Sequence, residues 1–230
     1  MLTRFQRSQN SLDFLSTLKM SPTHFCNRLH ARASTPPTVT MGLLTAVAKL
    51  TAQSMGVLAV ESYGSAHLAK VAPELHGAVW GIAEKSGVLP KAYGLVIMVN
   101  LIVCSFAVIA LSFKVGAARE TFGMPLPAMY ATGKDAKSVK FNCIQRGHQQ
   151  ALETFTMFLC GSLIGGVKYP ISVAFFGLVW CKARFSWAEG YATGEPKKRY
   201  QSGWGMLIWT TLIGVFSAAG GVGLELVGVM

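Results

Sequence analysis

Charge is what this chain has least of. Only 13% of its 230 residues are Asp, Glu, Lys or Arg, about half the share of a soluble globular domain. Acids are scarcest, 10 against 21 basic residues. So few charges exclude an ordinary water-soluble domain, and a hydrophobic share of 51% excludes a disordered chain. Several signatures are missing as well. The five cysteines, Cys26, Cys104, Cys143, Cys160 and Cys181, form no CxxC and no regular framework, so neither a disulfide scaffold nor a zinc site is indicated. The five histidines form no HxxxH pair, and no metal is expected. There is no GxGxxG, no GxxxxGK[ST] and no GxSxG, which removes the common nucleotide-binding and serine-hydrolase signatures.

What is present is bunched apolar sequence. Ala92 to Phe113 runs 22 residues without a charge, which at roughly 1.5 Å per residue matches the thickness of a hydrocarbon core. Gly203 to Leu224 is a second uncharged stretch, and Ala151 to Val167 and Ile171 to Cys181 are shorter ones. These predict an all-α integral membrane protein with four transmembrane helices in an up-and-down bundle. Gly161 with Gly165, and Gly220, Gly221 and Gly223, read as small residues that let helices approach in lipid.

Three regions follow: residues 1–40, 41–88 and 89–230. The first holds Arg4, Arg7, Lys19, Arg28 and Arg32 against the single acid Asp13 and is rich in Ser and Thr. That is the composition of a transit peptide, or of a disordered basic tail, and a start at Met41 would remove it. In the second region, residues 42–60 are apolar but carry Lys49, so an amphipathic or interfacial helix is expected rather than a span.

The basic residues cluster in two connections. Lys114, Arg119, Lys134, Lys137, Lys140 and Arg146 lie between helices one and two, and Lys182, Arg184, Lys197, Lys198 and Arg199 between three and four. In an up-and-down bundle both connections share a side, which positive-inside bias makes cytosolic. Charge at helix ends rather than in a separate basic domain argues against nucleic acid.

Two polar clusters stand out. Phe141-Asn142-Cys143-Ile144-Gln145-Arg146-Gly147-His148-Gln149-Gln150-Ala151-Leu152-Glu153 puts Arg146, Gln149 or Gln150, and Glu153 on one helix face. Glu153 is drawn into an apolar segment, where an ionisable group is a functional candidate; the alternative is an Arg146–Glu153 pair that only fixes packing. Arg184, Trp187, Glu189, Tyr191 and Lys197-Lys198-Arg199 form the second cluster. Together they suit an anionic ligand. Arg119, Lys197 and Lys198 can also be read as interfacial anchors, His148 as a structural helix residue, and Trp187, Trp204 and Trp209 as interface-belt aromatics.

The motif from Phe141 to Gln149 followed by Leu152-Glu153, the segment Gly190-Tyr191-Ala192-Thr193-Gly194-Glu195-Pro196-Lys197-Lys198-Arg199, and Tyr93-Gly94 resemble the MAPEG family of membrane glutathione transferases over residues 89 to 227. The resemblance implies a homotrimer that binds glutathione between subunits and takes a lipophilic electrophile, or a lipid hydroperoxide, from the membrane lipid. It implies transferase and peroxidase activity, or leukotriene C4 synthesis. Arg199 is then the residue that holds the thiolate, with Lys198 a rival in register. Arg146 and Arg119 would take glutathione carboxylates and Glu153 its amino group. His148 and Gln150 would bind its backbone, with Tyr191 and Trp187 lining the cleft. A guanidinium beside a thiol lowers its pKa from near 8.5 and raises the reactive fraction.

Glu120 after Arg119, Gln150, Trp187 and Thr154-Phe155 depart from the family pattern. They leave a non-catalytic lipid-binding protein, or a structural subunit of an organellar membrane complex, as the alternative. The resemblance favours the endoplasmic reticulum membrane, and the basic leader a mitochondrial or plastid one.

Overall fold

The computed structural model describes residues 37–82 and 88–229. The leader, residues 1–40, lies outside the described residues except for its last four positions, which are helical. The chain divides into two compact units, Met1–Val47 and Ala48–Met230. Of the first, the described part is wholly helical.

No strand occurs among the described residues beyond an isolated bridge between Ile82 and Pro90. The helices are α1 (Pro37–Val71), α2 (Pro73–Val79), α3 (Tyr93–Phe122), α4 (Ala136–Gly165), α5 (Pro170–Ala192) and α6 (Leu207–Leu226), with 3₁₀ turns at Pro196–Tyr200 and Trp204–Met206. Two segments, Tyr93–Phe122 and Trp204–Leu226, are long and apolar enough to cross a membrane. Only 33% of either apolar window is buried. A soluble core helix would hide most of that surface; here Leu95, Met98, Ile102, Phe106, Ile109 and Phe113 of α3 face outward, as lipid contact requires.

The apolar runs understate α4 and α5, which extend into charged sequence at the ends nearer the connections. Local capping explains the start of α4: Asp135 accepts from the backbone N–H of Lys137 at 3.0 Å and Ser138 at 3.1 Å. Phe141, Cys143, Gln145 and Gly147 are then buried, on two sides of the polar half. α3 ends where Gly123 adopts φ +66° and its own N–H and that of Met124 close back on Glu120 and Arg119, a left-handed cap that glycine adopts without steric cost.

Lipid removes most of the hydrophobic drive between helices, so packing depends on close approach. A β-carbon at Gly165 would lie 2.6 Å from that of Ala218, and one at Gly161 3.1 Å from Val215. The glycine pair of α4 therefore seats α6. Phe158 stacks on Trp180 with ring centres 4.8 Å apart, and Val96, Val173 and Val215 complete the core.

α3 carries a π-helical segment, Ile97–Val103. Its wider turn brings the buried Asn100 to Ser162 Oγ and Val173 O, both at 2.9 Å. Such segments recur where a side chain must be re-aimed.

From Ala48 onward α1 docks along α5 and α6 through Ser54, Leu58 and Glu61, spaced as one helical stripe and all buried. Ser54 donates to Thr210 O at 3.0 Å. Glu61 accepts from the N–H groups of Ile171 at 3.0 Å and Ser172 at 2.7 Å, capping a helix that begins with Pro170 and lacks a cap of its own.

Candidate functional site

The polar residues gather where the first half of α4 meets the end of α5 and the turn after it. Arg146 and Glu153 sit two turns apart on α4 and pair at 2.6 Å, with side chains 40% and 44% exposed. At that exposure the pair contributes no more than about 1 kcal/mol to stability, so it can be exchanged for a ligand at small cost. The Tyr130 and Tyr191 phenols lie within electrostatic reach of Arg146, and Tyr130 donates to the Gln149 carbonyl.

Tyr191 links this pair to the next cation. Its ring packs on Trp187 at 4.6 Å, and the Arg199 guanidinium lies 5.5 Å from the Tyr191 centroid and 4.9 Å from that of Tyr200. Arg199 also donates to Pro196 O at 2.8 Å, which holds the side chain close to its own turn. The backbone is held as tightly. A β-carbon at Gly190 would fall 2.4 Å from Lys198 O and 2.8 Å from Arg199 Cα, and one at Gly205 would fall 2.3 Å from Arg199 O. The turn carrying Arg199 is therefore clamped between two glycines.

Lys198, its rival by register, points elsewhere and pairs with Glu195 at 2.7 Å on the surface. Burial pushes the Tyr200 hydroxyl up. The Trp209 indole N–H at 3.4 Å, the Arg199 guanidinium and, at longer range, the Trp187 indole outweigh this and hold it below the ordinary phenol value.

The other expected residues make contacts of their own. Gln150 is buried, and its carbonyl accepts from the Arg184 guanidinium. His148 lines a small cleft with Leu111, Lys114, Ile144, Ala188, Glu189 and Ala192, beside the Lys114–Glu189 pair at 3.4 Å. Arg119 braces the 123–135 loop, donating to Ala128 O at 2.7 Å and lying 5.4 Å over the Phe141 ring. It shares an open cleft with Glu120, Met124 and Leu126. Trp187 is 5% exposed, a core residue rather than an interface-belt aromatic. Trp204 is 44% exposed.

Arg184, one cation of the second polar cluster in the sequence, is a buried one in the structure. It is 1% exposed, donates to Gln150 and Thr154, and stacks 4.8 Å over Trp180. Among the described residues no carboxylate pairs with it. Its signal in the sequence is the spacing Trp180, Arg184, Trp187, one helical face with a cation between two indoles. Tyr130 and Tyr200 were missed, since each lies in a connection whose path the sequence does not set.

The described residues are almost wholly helical between their connections, with two membrane-type helices and a polar cluster that brings Arg146, Glu153, Tyr191 and Arg199 together. Residues 97–220 match the MAPEG family, over more than half of the chain, and the protein belongs to that family. The family is membrane-associated and includes glutathione transferases, leukotriene C4 synthase and related proteins, some of them not catalytic.

Proposed function

We propose that this protein is a membrane-bound glutathione transferase, with glutathione-dependent peroxidase activity on lipophilic electrophiles and lipid hydroperoxides. Within the family the motifs closely resemble those of microsomal glutathione S-transferase 3. The reading includes four spans from α3 to α6 and assembly as a homotrimer. It places the protein in the endoplasmic reticulum membrane, or in a mitochondrial or plastid membrane if residues 1–40 act as a transit peptide.

The observation that carries it is the placement of Arg199 over Tyr191 and Tyr200, next to the Arg146–Glu153 pair. Glutathione's γ-glutamyl end bears a carboxylate and an ammonium. Arg146 is suited to the first by its planar fork, and Glu153 to the second. Their mutual pair is replaced by two charge-matched contacts when that end binds. Arg199 then stabilises the thiolate, each unit of thiol pKa depression corresponding to about 1.4 kcal/mol. Lys198, committed to Glu195 on the surface, is the weaker candidate for this role. Arg119 supplies a further cation for the other carboxylate, with Glu120 opposing it. His148 and Gln150 bind the tripeptide backbone, Gln150 while its carbonyl also accepts from Arg184.

The experiment is the ultraviolet thiolate absorbance of glutathione with detergent-purified protein near neutral pH. A signal present in the wild type and with Lys198→Ala but lost with Arg199→Ala is the expected result. Absence of any signal in wild type would sink the reading. It would favour a non-catalytic lipid-binding member, for which the Glu120 carboxylate beside Arg119 is the specific support.

A further inference from the structure

Cys104 and Cys181 are 77 residues apart in sequence, one on α3 and the other on α5, yet their sulfurs stand 3.3 Å apart. Cys104 is sealed inside, 0% exposed, with its thiol also directed at Gly177 O at 3.6 Å. Cys181 is half-buried and so is the sulfur reached from outside. The approach is held by packing on the preceding turn. Asn100 ties α3 to Ser162 and Val173, and Gly177 leaves room for it, since a β-carbon there would lie 2.5 Å from Asn100 Oδ1. Two thiols already in contact need to close by little more than about 1 Å to reach bonding distance.

Cys104 lies mid-way along the uncharged run from Ala92 to Phe113. An oxidant soluble in hydrocarbon is the kind best suited to meet this pair, and lipid hydroperoxides are two-electron oxidants of that kind.

We propose that Cys104 and Cys181 form a dithiol that lipid hydroperoxides oxidise to a disulfide, joining α3 to α5. The Cys181 sulfur attacks the terminal hydroperoxide oxygen. The O–O bond breaks, the thiol proton passes to the departing oxygen, and the lipid leaves as an alcohol, with Cys181 now a sulfenic acid. The Cys104 sulfur then attacks that of Cys181. The S–O bond breaks, and the hydroxyl takes the Cys104 proton and leaves as water. Two thiols and one hydroperoxide become one disulfide, one alcohol and one water. The reaction uses neither glutathione nor Arg199, so it stands or falls separately from the proposed activity.

The test uses the full-length wild-type protein in lipid nanodiscs with cumene hydroperoxide as the probe, followed by maleimide blocking and non-reducing peptide mass spectrometry. The expected result is a dithiothreitol-sensitive peptide joining Cys104 to Cys181, with one cumyl alcohol released per bond formed. In Cys104→Ala, dimedone should capture Cys181 as its sulfenic acid. Full maleimide labelling of both residues, at a dose that oxidises the exposed Cys160, would overturn the proposal. So would a Cys181 that proceeds to sulfinic acid in wild type while Cys104 stays a free thiol.

Discussion

The Glu61 carboxylate of α1 accepts the Ser172 backbone N–H at 2.7 Å, across 111 residues of sequence. α5 starts with Pro170 and has no side-chain cap from its own flank, so a separate helix satisfies its first free donors. The negative charge also faces the positive end of the helix dipole. Replacing Glu61 by Ala is expected to cost about 1–2 kcal/mol, with Glu61→Gln recovering part because one acceptor oxygen remains. Thermal unfolding in detergent gives the stability, and faster hydrogen exchange confined to the Ile171 and Ser172 amides locates the loss.

Two contacts fix the course of α1 past Ala48. Gly214 meets Phe176 and Gly221 meets Tyr169, so α5 and α6 run antiparallel and their first turns lie at opposite ends. Ser54 bonds to the start of α6 and Glu61 to the start of α5. α1 therefore runs in the direction of α6, and Lys49 lies near the end where the basic turn emerges rather than at mid-depth. In vesicles, single cysteines at Lys49 and Val71 should react with an impermeant maleimide from opposite sides. Labelling of both from the same side would mean that α1 lies along the surface.

How far the sequence was legible depended on where each residue's partner lay. α3 and α6 could be read because an uncharged run of that length has few other homes. The polar half of α4 was legible from Phe141 as part of the same helix, whereas its start at Ala136 was not, since the Asp135 cap sets it. The Arg146–Glu153 pair was visible because both residues sit on one helix face. Arg184 was visible as a charge but not as a buried one, because its acceptors Gln150 and Thr154 lie on another helix. Asn100, Glu61 and the Cys104–Cys181 contact share that property, each being an ordinary residue until a distant segment is brought against it.

Gln150 separates a ligand contact from a structural one. Its carbonyl is an acceptor for a guanidinium that has no carboxylate partner among the described residues. Gln150→Leu leaves a buried cation one acceptor short, at an expected cost of about 2–3 kcal/mol. Gln150→Glu supplies a charged partner to the same donor and should hold stability better than Leu does. If Gln150 mainly binds glutathione, Gln150→Leu would instead weaken glutathione binding at unchanged melting temperature. Differential scanning fluorimetry and glutathione titration on the same samples distinguish the two.

The glycine clamp on the Arg199 turn gives a test that leaves every ligand-facing side chain in place. Gly190→Ala adds one carbon that would fall 2.4 Å from Lys198 O and 2.8 Å from Arg199 Cα. Backbone atoms on both counts have little room to give, so the turn must shift away from α5 and carry Arg199 off Tyr191. The thiolate signal should fall at least about tenfold, equivalent to roughly 1.4 kcal/mol, while circular dichroism still reports the full helix content. Gly220→Ala is the matched control, because a β-carbon there meets nothing within 4 Å and alanine favours helix by up to about 1 kcal/mol. An undiminished signal in Gly190→Ala would show that thiolate stabilisation does not depend on the position of this turn, and would move the role from Arg199 to Arg146 or Arg119.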